Sequence, residues 1–423
     1  MHLDRLHIQN FRCYEDATFD FQPGFNLVVG VNGSGKTSLL QAVAVSLIEF
    51  GNAMKPSQTS ISNEDIRFVI DKFDGRVRFE RKFPLLVHGM GSIYEAKEWK
   101  MTRDGENWPH LVDCVFDIEI EKVIKKISSG IEVDLPVLAF YRSNRRWKGA
   151  GVSAEFSAKN RLSRFDGYVN WFDAVVDLGD FESWLISKTL ERMQNLIDTN
   201  PTPKKFNDEL AWVNCAIEFA LPKAKNLRYD LRLQSLLIDI DETKTIPFNE
   251  LSDGQRGIVA LFADIARRMC IINPHMGNLV LEKTSGIVII DELDIHLHPE
   301  WQRLVAPALK QAFPKVQFIV ASHSPQIIGS LKPEEVILLS SGDVSHPHVT
   351  YGLDSSRILE EVMGVSEREP EVDKLLNELF STIEDNNLEK AKVQLQTLKD
   401  KAPDLPEFAG AQALIRRKEL LGK

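Results

Sequence analysis

The sequence predicts an α/β protein built on a mixed sheet, with a helical insertion and a helical C-terminal tail. Three observations carry this. The apolar run Phe25-Asn26-Leu27-Val28-Val29 reads as a buried strand, as do Gly286-Ile287-Val288-Ile289-Ile290 and Val316-Gln317-Phe318-Ile319-Val320-Ala321. After the first of these comes Gly30-Val31-Asn32-Gly33-Ser34-Gly35-Lys36-Thr37, a glycine-rich loop that fits the phosphate-binding pattern at every fixed position. Two other stretches, 143–223 and the chain from Pro370 onward, carry apolar residues at helical spacing.

Taken in order, 1–142 reads mostly as strands. Leu3-Asp4-Arg5-Leu6-His7-Ile8 and Arg76-Val77-Arg78-Phe79-Glu80-Arg81 both alternate. The helix after the loop is predicted over 37–50, where Leu39, Leu40, Val43, Ala44, Leu47 and Ile48 recur at helical spacing. Residues 143–226 are predicted as a helical insertion carrying Tyr168, Trp171, Phe172 and Val175, then Phe181, Trp184 and Leu185. Asn200-Pro201-Thr202-Pro203 breaks it. Strands resume at Leu227-Arg228-Tyr229-Asp230-Leu231 and at 236–240, opening a second half over 227–363. The tail, 364–423, has one stripe of Val372, Leu375, Leu376, Leu379, Phe380 and Ile383 and another of Leu388, Ala391, Leu395 and Leu398. Pro403 and Pro406 separate a last short helix.

Composition narrows the class. Of the 423 residues, 43% are hydrophobic and 26% charged, which is ordinary for a globular protein. No run approaches the ~20 apolar residues of a membrane helix, and the strand-like start predicts no signal or transit peptide. Cys13, Cys114, Cys215 and Cys270 have no paired spacing, which argues against a zinc ribbon or disulfide framework and suits a reducing cytoplasm. A net charge of −10 excludes a generally basic surface but leaves room for a local patch.

The chemistry follows from residue types at strand ends. Glycines let the loop turn its N–H groups inward around phosphate oxygens, and the helix N-terminus adds a favourable dipole. Lys36 then reaches the outer phosphates and the Thr37 hydroxyl ligates magnesium. Asp291-Glu292 closes an apolar strand, placing one carboxylate to hold Mg²⁺ and the next to deprotonate an attacking water. His323 follows the strand 316–321 in the same way. His296 and His298 suggest a metal, but no third ligand is evident.

Between these motifs, Leu251-Ser252-Asp253-Gly254-Gln255 resembles the signature motif of ABC-type ATPases, with Asp253 where glycine is commoner. The order of loop, signature, Asp291-Glu292 and His323 over 1–330 resembles that superfamily, in its overcoming-lysogenisation and chromosome-maintenance branches. The resemblance implies an ABC-type P-loop NTPase head that binds ATP with Mg²⁺. Asn32, Gly33, Ser34, Gly35, Lys36, Thr37 and Ser38 would hold the nucleotide, with Thr37 and Asp291 on the metal. Glu292, His323 and Lys36 would be catalytic. It further implies that Ser252, Gly254 and Gln255 of one protomer cap ATP held by another, and that Arg12, in Asn10-Phe11-Arg12, lies near the nucleotide. Leu297-His298-Pro299 takes the place of the D-loop, where Leu-Asp is usual.

The interval between loop and signature is longer than in a transporter ATPase, and no permease-like or long heptad segment accompanies it. No strand after His323 ends in a paired Asp-x-Asp, so a nuclease within the chain is not expected. The whole layout, with the phrase Asp291-Glu292-Leu293-Asp294-Ile295-His296-Leu297-His298-Pro299-Glu300 and the ending Lys418-Glu419-Leu420-Leu421-Gly422-Lys423, resembles the PtuA-type ATPases of Septu antiphage systems, also found with retrons. That implies self-assembly into head-to-tail ATPase dimers within a larger oligomer, and an HNH nuclease partner (PtuB-like). The position of the tail beyond the complete ATPase suggests it as the docking module, the alternative being stripes that pack on their own domain. Two alternatives stay open: a recombination-type repair ATPase that binds DNA directly, and a non-hydrolysing ATP sensor. Within 141–165, seven Lys/Arg face one acid, Glu155. There Arg142, Arg145, Arg146 and Lys148 suit nucleic-acid contact, nucleotide or dimer contact, or a solvated loop.

Overall fold

The three apolar runs become neighbouring parallel strands in the computed structural model, which describes residues 1–57, 59–73, 76–106, 111–112, 115–143, 157, 162–174, 178–198, 206–240, 244–340, 343–364 and 369–421. Strands β3 (Phe25–Gly30), β9 (Val137–Tyr141), β13 (Gly286–Ile290), β14 (Val316–Ala321) and β15 (Val336–Ser340) pair in the order β15-β3-β14-β13-β9. Edge strand β16 (Asp343–Ser345) is antiparallel, which makes the sheet mixed. Every residue of β9, β13 and β14 is buried, as expected of a parallel sheet covered on both faces. Because β3, β13 and β14 run parallel, their C-terminal ends and the loops after them meet at one edge of the sheet.

A second, antiparallel sheet of order β2-β1-β6-β7-β8 contains β1 (His2–Phe11), β2 (Tyr14–Asp20), β6 (Leu85–Ile93), β7 (Ala96–Arg103) and β8 (Leu111–Val112). The alternation predicted from Leu3 to Ile8 is broken by a register shift between Leu3 and Arg5, which keeps Leu3, Leu6 and Ile8 all buried. A separate hairpin pairs β4 (Phe68–Phe73) with β5 (Arg76–Arg81). Helix α1 (Lys36–Ser46) packs on β3, β13 and β14 and also on β1, β6 and β7, so it lies between the two sheets. Leu39, Leu40, Ala42, Val43, Ala44 and Val45 are consequently buried all round, where a single stripe was predicted. The expected helix over 37–50 is two helices: Leu47 leaves helical geometry (φ −106°, ψ 3°), and α2 (Ile48–Met54) follows. Helix α3 (Val115–Ser128) also interrupts the strand-rich first part, burying Phe116, Ile120 and Val123 at helical spacing.

Within 143–226, Tyr168 and Trp171 sit on short 3₁₀ turns that pack against β9. Helices α4 (Leu178–Asp198) and α5 (Glu209–Ala220) follow; Val175 and the break at 200–203 lie outside the described residues. A three-stranded sheet, β10 (Ala224–Asp230), β11 (Ser235–Ile240) and β12 (Lys244–Pro247), leads to α6 (Asp253–Ile272) and, after β13, α7 (Pro299–Ala312). All of this belongs to one compact unit, Met1–Leu353. A second, Asp354–Lys423, holds α8 (Pro370–Glu384), α9 (Leu388–Lys401) and α10 (Glu407–Leu421). Both tail stripes meet in its core, where Leu379, Ile383, Ala391, Leu398, Phe408 and Ile415 are buried; Leu388 stays half-exposed at the start of α9. No helix among the described residues is long and apolar enough to cross a membrane.

Candidate functional site: a phosphate cavity and a separate signature surface

The loop after β3 turns through left-handed conformations at Gly33 (φ 83°) and Gly35 (φ 101°), which side-chain-bearing residues rarely adopt. Gly35 is also hemmed in: a Cβ there would stand 2.4 Å from the Tyr14 hydroxyl, which donates to the Gly35 carbonyl at 3.1 Å. Tyr14, unnoticed in the sequence, thus braces the loop from behind. The buried Lys36 ammonium donates to the Gly30 and Val31 carbonyls at 2.9 and 3.0 Å, spanning the loop. Burial lowers its pKa, against the pull of Asp291, Glu292 and Asp294. The Ser34 hydroxyl oxygen is buried without a hydrogen-bond partner, and Ser34, predicted as a nucleotide contact, is not among the residues lining the cavity above the loop.

A cavity of about 250 Å³ lies over this loop. It gathers Asn32, Gly33, Gly35, Lys36, Thr37 and Ser38 from the loop, Asp291 and Glu292 from the end of β13, and Ser322 and His323 from the end of β14. Thr37 and Asp291, 254 positions apart in sequence, are thereby brought together because their strands belong to one sheet. The Thr37 hydroxyl donates to Asp291 at 3.1 Å, so two hard oxygen donors of the kind Mg²⁺ takes stand side by side. Glu292 occupies a left-handed backbone conformation (φ 50°), which costs a non-glycine residue of order 1–3 kcal/mol and is common where a side chain is aimed for function. Burial, then the charge of Lys36, lowers the pKa of His323, so its ring is neutral at neutral pH.

Ser252 and Gly254 are not in this cavity. They line a separate, open concavity with Asp253, His296, Leu297, His298 and Trp301. Ser252 caps α6: its hydroxyl accepts from the Gln255 N–H at 3.4 Å, while the Gln255 side chain accepts from the Ser252 N–H at 3.2 Å. Gln255, predicted as a nucleotide contact, is therefore engaged in the cap. A Cβ at Gly254 would come within 2.3 Å of the His296 carbonyl, so the D-loop presses directly on the signature helix. His298 caps α7 through Nδ1, which accepts from the Glu300 N–H, and packs edge-on to Trp301. No group of three metal-ligating side chains occurs among the described residues.

Arg12 lies outside the residues lining the phosphate cavity; Cys13 beside it is one of them. Its guanidinium is paired with the buried Asp65 at 2.8 Å. Arg142 stacks over the Phe140 and Phe172 rings and faces Asp173 at 3.6 Å; Arg145, Arg146 and Lys148 lie outside the described residues. Two further groups have no local sequence signal. Asp294 binds the loop carrying His323, and the buried Asp264 on α6 accepts from the Tyr141 hydroxyl and from Arg268, both at 2.8 Å. Charge from Arg268 and Arg267 holds the Asp264 carboxyl well below the usual range despite its burial. The Asp291 N–H donates to the Tyr141 carbonyl at 2.8 Å, so this network links α6 to the end of β13.

This sheet and this cavity define a P-loop ATPase, a nucleotide-binding protein. Residues 25–329 match the family described as "AAA domain, putative AbiEii toxin, Type IV TA system", and the chain belongs to it. It is 26% identical to the Retron Ec83 probable ATPase of Escherichia coli, over 88% of this chain and 78% of that one. It is 23% identical to the Retron Vc95 probable ATPase of Vibrio cholerae serotype O1 biovar El Tor, over 80% and 74%. It is 27% identical to the Septu protein PtuA of Bacillus thuringiensis, over 92% and 91%.

Proposed function

We propose that this chain is the ATP-binding regulatory ATPase of an antiphage defence complex, acting through ATP-sandwich dimers within a larger oligomer and controlling a separate HNH nuclease. The observation that carries this reading is the separation of the signature residues from the chain's own phosphate cavity. A Ser252 and Gly254 that do not face the local P-loop can serve the one of a second copy, with the α6 N-terminus directed at its γ-phosphate. The retron and Septu names of the relatives support the defence setting.

In this reading Lys36 and the loop N–H groups bind the triphosphate, and Thr37 and Asp291 hold Mg²⁺, which offsets phosphate charge when bound. Glu292 orients the water and accepts its proton, and His323 contacts the γ-phosphate. The tail, 364–423, carries none of these residues, and we assign it the docking of the nuclease.

One purification tests the reading. The full chain co-expressed with an HNH nuclease should elute with it, as a complex holding an even number of ATPase copies in ATP and Mg²⁺. A chain lacking 370–423 should keep its nucleotide-dependent pairing and lose the nuclease. Nuclease retained by the shortened chain, or a size indifferent to ATP, defeats the corresponding half of the proposal.

A further inference from the structure

Strands β13 and β14 pair in parallel with Ile290 opposite Val320, so the residues after each run on together beyond the sheet. The Leu293 N–H donates to the Ala321 carbonyl at 3.0 Å, extending the pairing past the ends of the strands. Beyond it, one oxygen of Asp294 (Oδ1) accepts twice: from the fully buried Ser322 hydroxyl at 2.6 Å and from the His323 backbone N–H at 3.3 Å. Ser322 Oγ accepts in turn from the Ser324 N–H at 2.9 Å. The Ser324 hydroxyl donates to Gln302 Oε1 at 2.7 Å, and Gln302 Nε2 donates to the Leu297 carbonyl at 2.9 Å. A continuous polar thread therefore runs from Asp294, beneath His323, to the D-loop. It touches the main chain of His323 and leaves the ring to the cavity.

We propose that Asp294 is a positioning residue for ATP hydrolysis: its carboxylate clamps the loop after β14 so that the His323 imidazole stands over the phosphate cavity. This rests on the reading of His323 as a γ-phosphate contact. Bonds to a carboxylate are shorter and stronger than neutral ones, and a loop with no regular pairing of its own gains most from them. Asp294 makes no contact with the nucleotide in this arrangement. Its loss acts on the placement of the ring, where an error near 1 Å costs roughly 100-fold in rate, and leaves the binding loop alone.

The test uses the full chain with isotope-labelled histidine, the His323 ring signal being identified by its loss in His323→Gln. In the unsubstituted protein that signal should move when a non-hydrolysable ATP analogue and Mg²⁺ are added. In Asp294→Ala the movement should disappear and kcat should fall roughly 10- to 100-fold, with nucleotide affinity within about threefold. Asp294→Asn keeps an acceptor oxygen and should recover most of both readouts. Ser322→Ala, which removes one donor, should give a partial loss and carries the test if Asp294→Ala does not fold. A ring that responds in Asp294→Ala, or in the absence of that protein an unchanged Ser322→Ala, overturns the proposal. A silent ring in the unsubstituted protein overturns the reading of His323 itself, and this inference with it.

Discussion

The phosphate cavity and the signature surface belong to the same unit and differ in how finished they are. The cavity draws its candidate site residues from three strand ends of one sheet, and its lysine, threonine and first carboxylate already contact protein partners. The signature surface is open, and its serine is engaged with Gln255 at a helix start. The difference teaches which function each can support alone. In the proposed reading, binding needs only the cavity, and capping the γ-phosphate needs an element that the chain presents outside it.

Three experiments bear on that contrast. The largest effect is expected for Lys36→Ala. A hydrogen bond to a charged group contributes about 1.5–3 kcal/mol, so nucleotide affinity should fall roughly 10- to 100-fold and turnover further still, read by fluorescent-nucleotide titration and phosphate release. Affinity kept at the original level would show that the cavity is not where nucleotide sits. Next, Ser252→Arg should abolish turnover while leaving that titration unchanged. Mixed with Lys36→Ala in equal amounts it should recover roughly a quarter of the original rate, because half the random pairs carry one intact composite site. An inactive mixture of demonstrated mixed pairs would break the contrast. The smallest effect concerns pH. Burial and Lys36 lower the His323 pKa, so the midpoint of the acid-side decline in turnover should lie below the ordinary histidine value of about 6.5. The same sign holds for folding: the unfolded chain takes up the proton first, so the His323 contribution to stability falls as pH drops from about 6.5 through the lowered value. His323→Gln should remove the contribution of this residue to the acid limb.

The cavity was legible in the sequence because its chemistry is local. A glycine loop at a strand end, and acids or a histidine at two others, announce themselves within a few residues, and the sheet then sets them side by side. Elements governed by distant partners were not legible. Leu39 and Val43 look like members of a one-sided helix until a second sheet buries Ala42 and Val45 as well. Arg142 reads as a candidate nucleic-acid or nucleotide contact, and its neighbours Phe140, Phe172 and Asp173 come only with the fold. Asp294 and Asp264 are ordinary acids in sequence; only strand pairing and helix packing give them Ser322 and Tyr141. The helix α3 had a readable stripe in Phe116, Ile120 and Val123, which the strands around it masked.

Gly254 meets the His296 carbonyl with no room for even a methyl group between them. The two segments that line the outward concavity therefore have a spacing set by main chain against main chain. A side chain can change length through substitution or rotation; this gap cannot. The device works like a fixed gauge: whatever docks there meets the same separation in every copy, and residues around it can vary without recalibrating it. Tolerance to change in this region should accordingly be lowest at one glycine that lies outside the phosphate cavity.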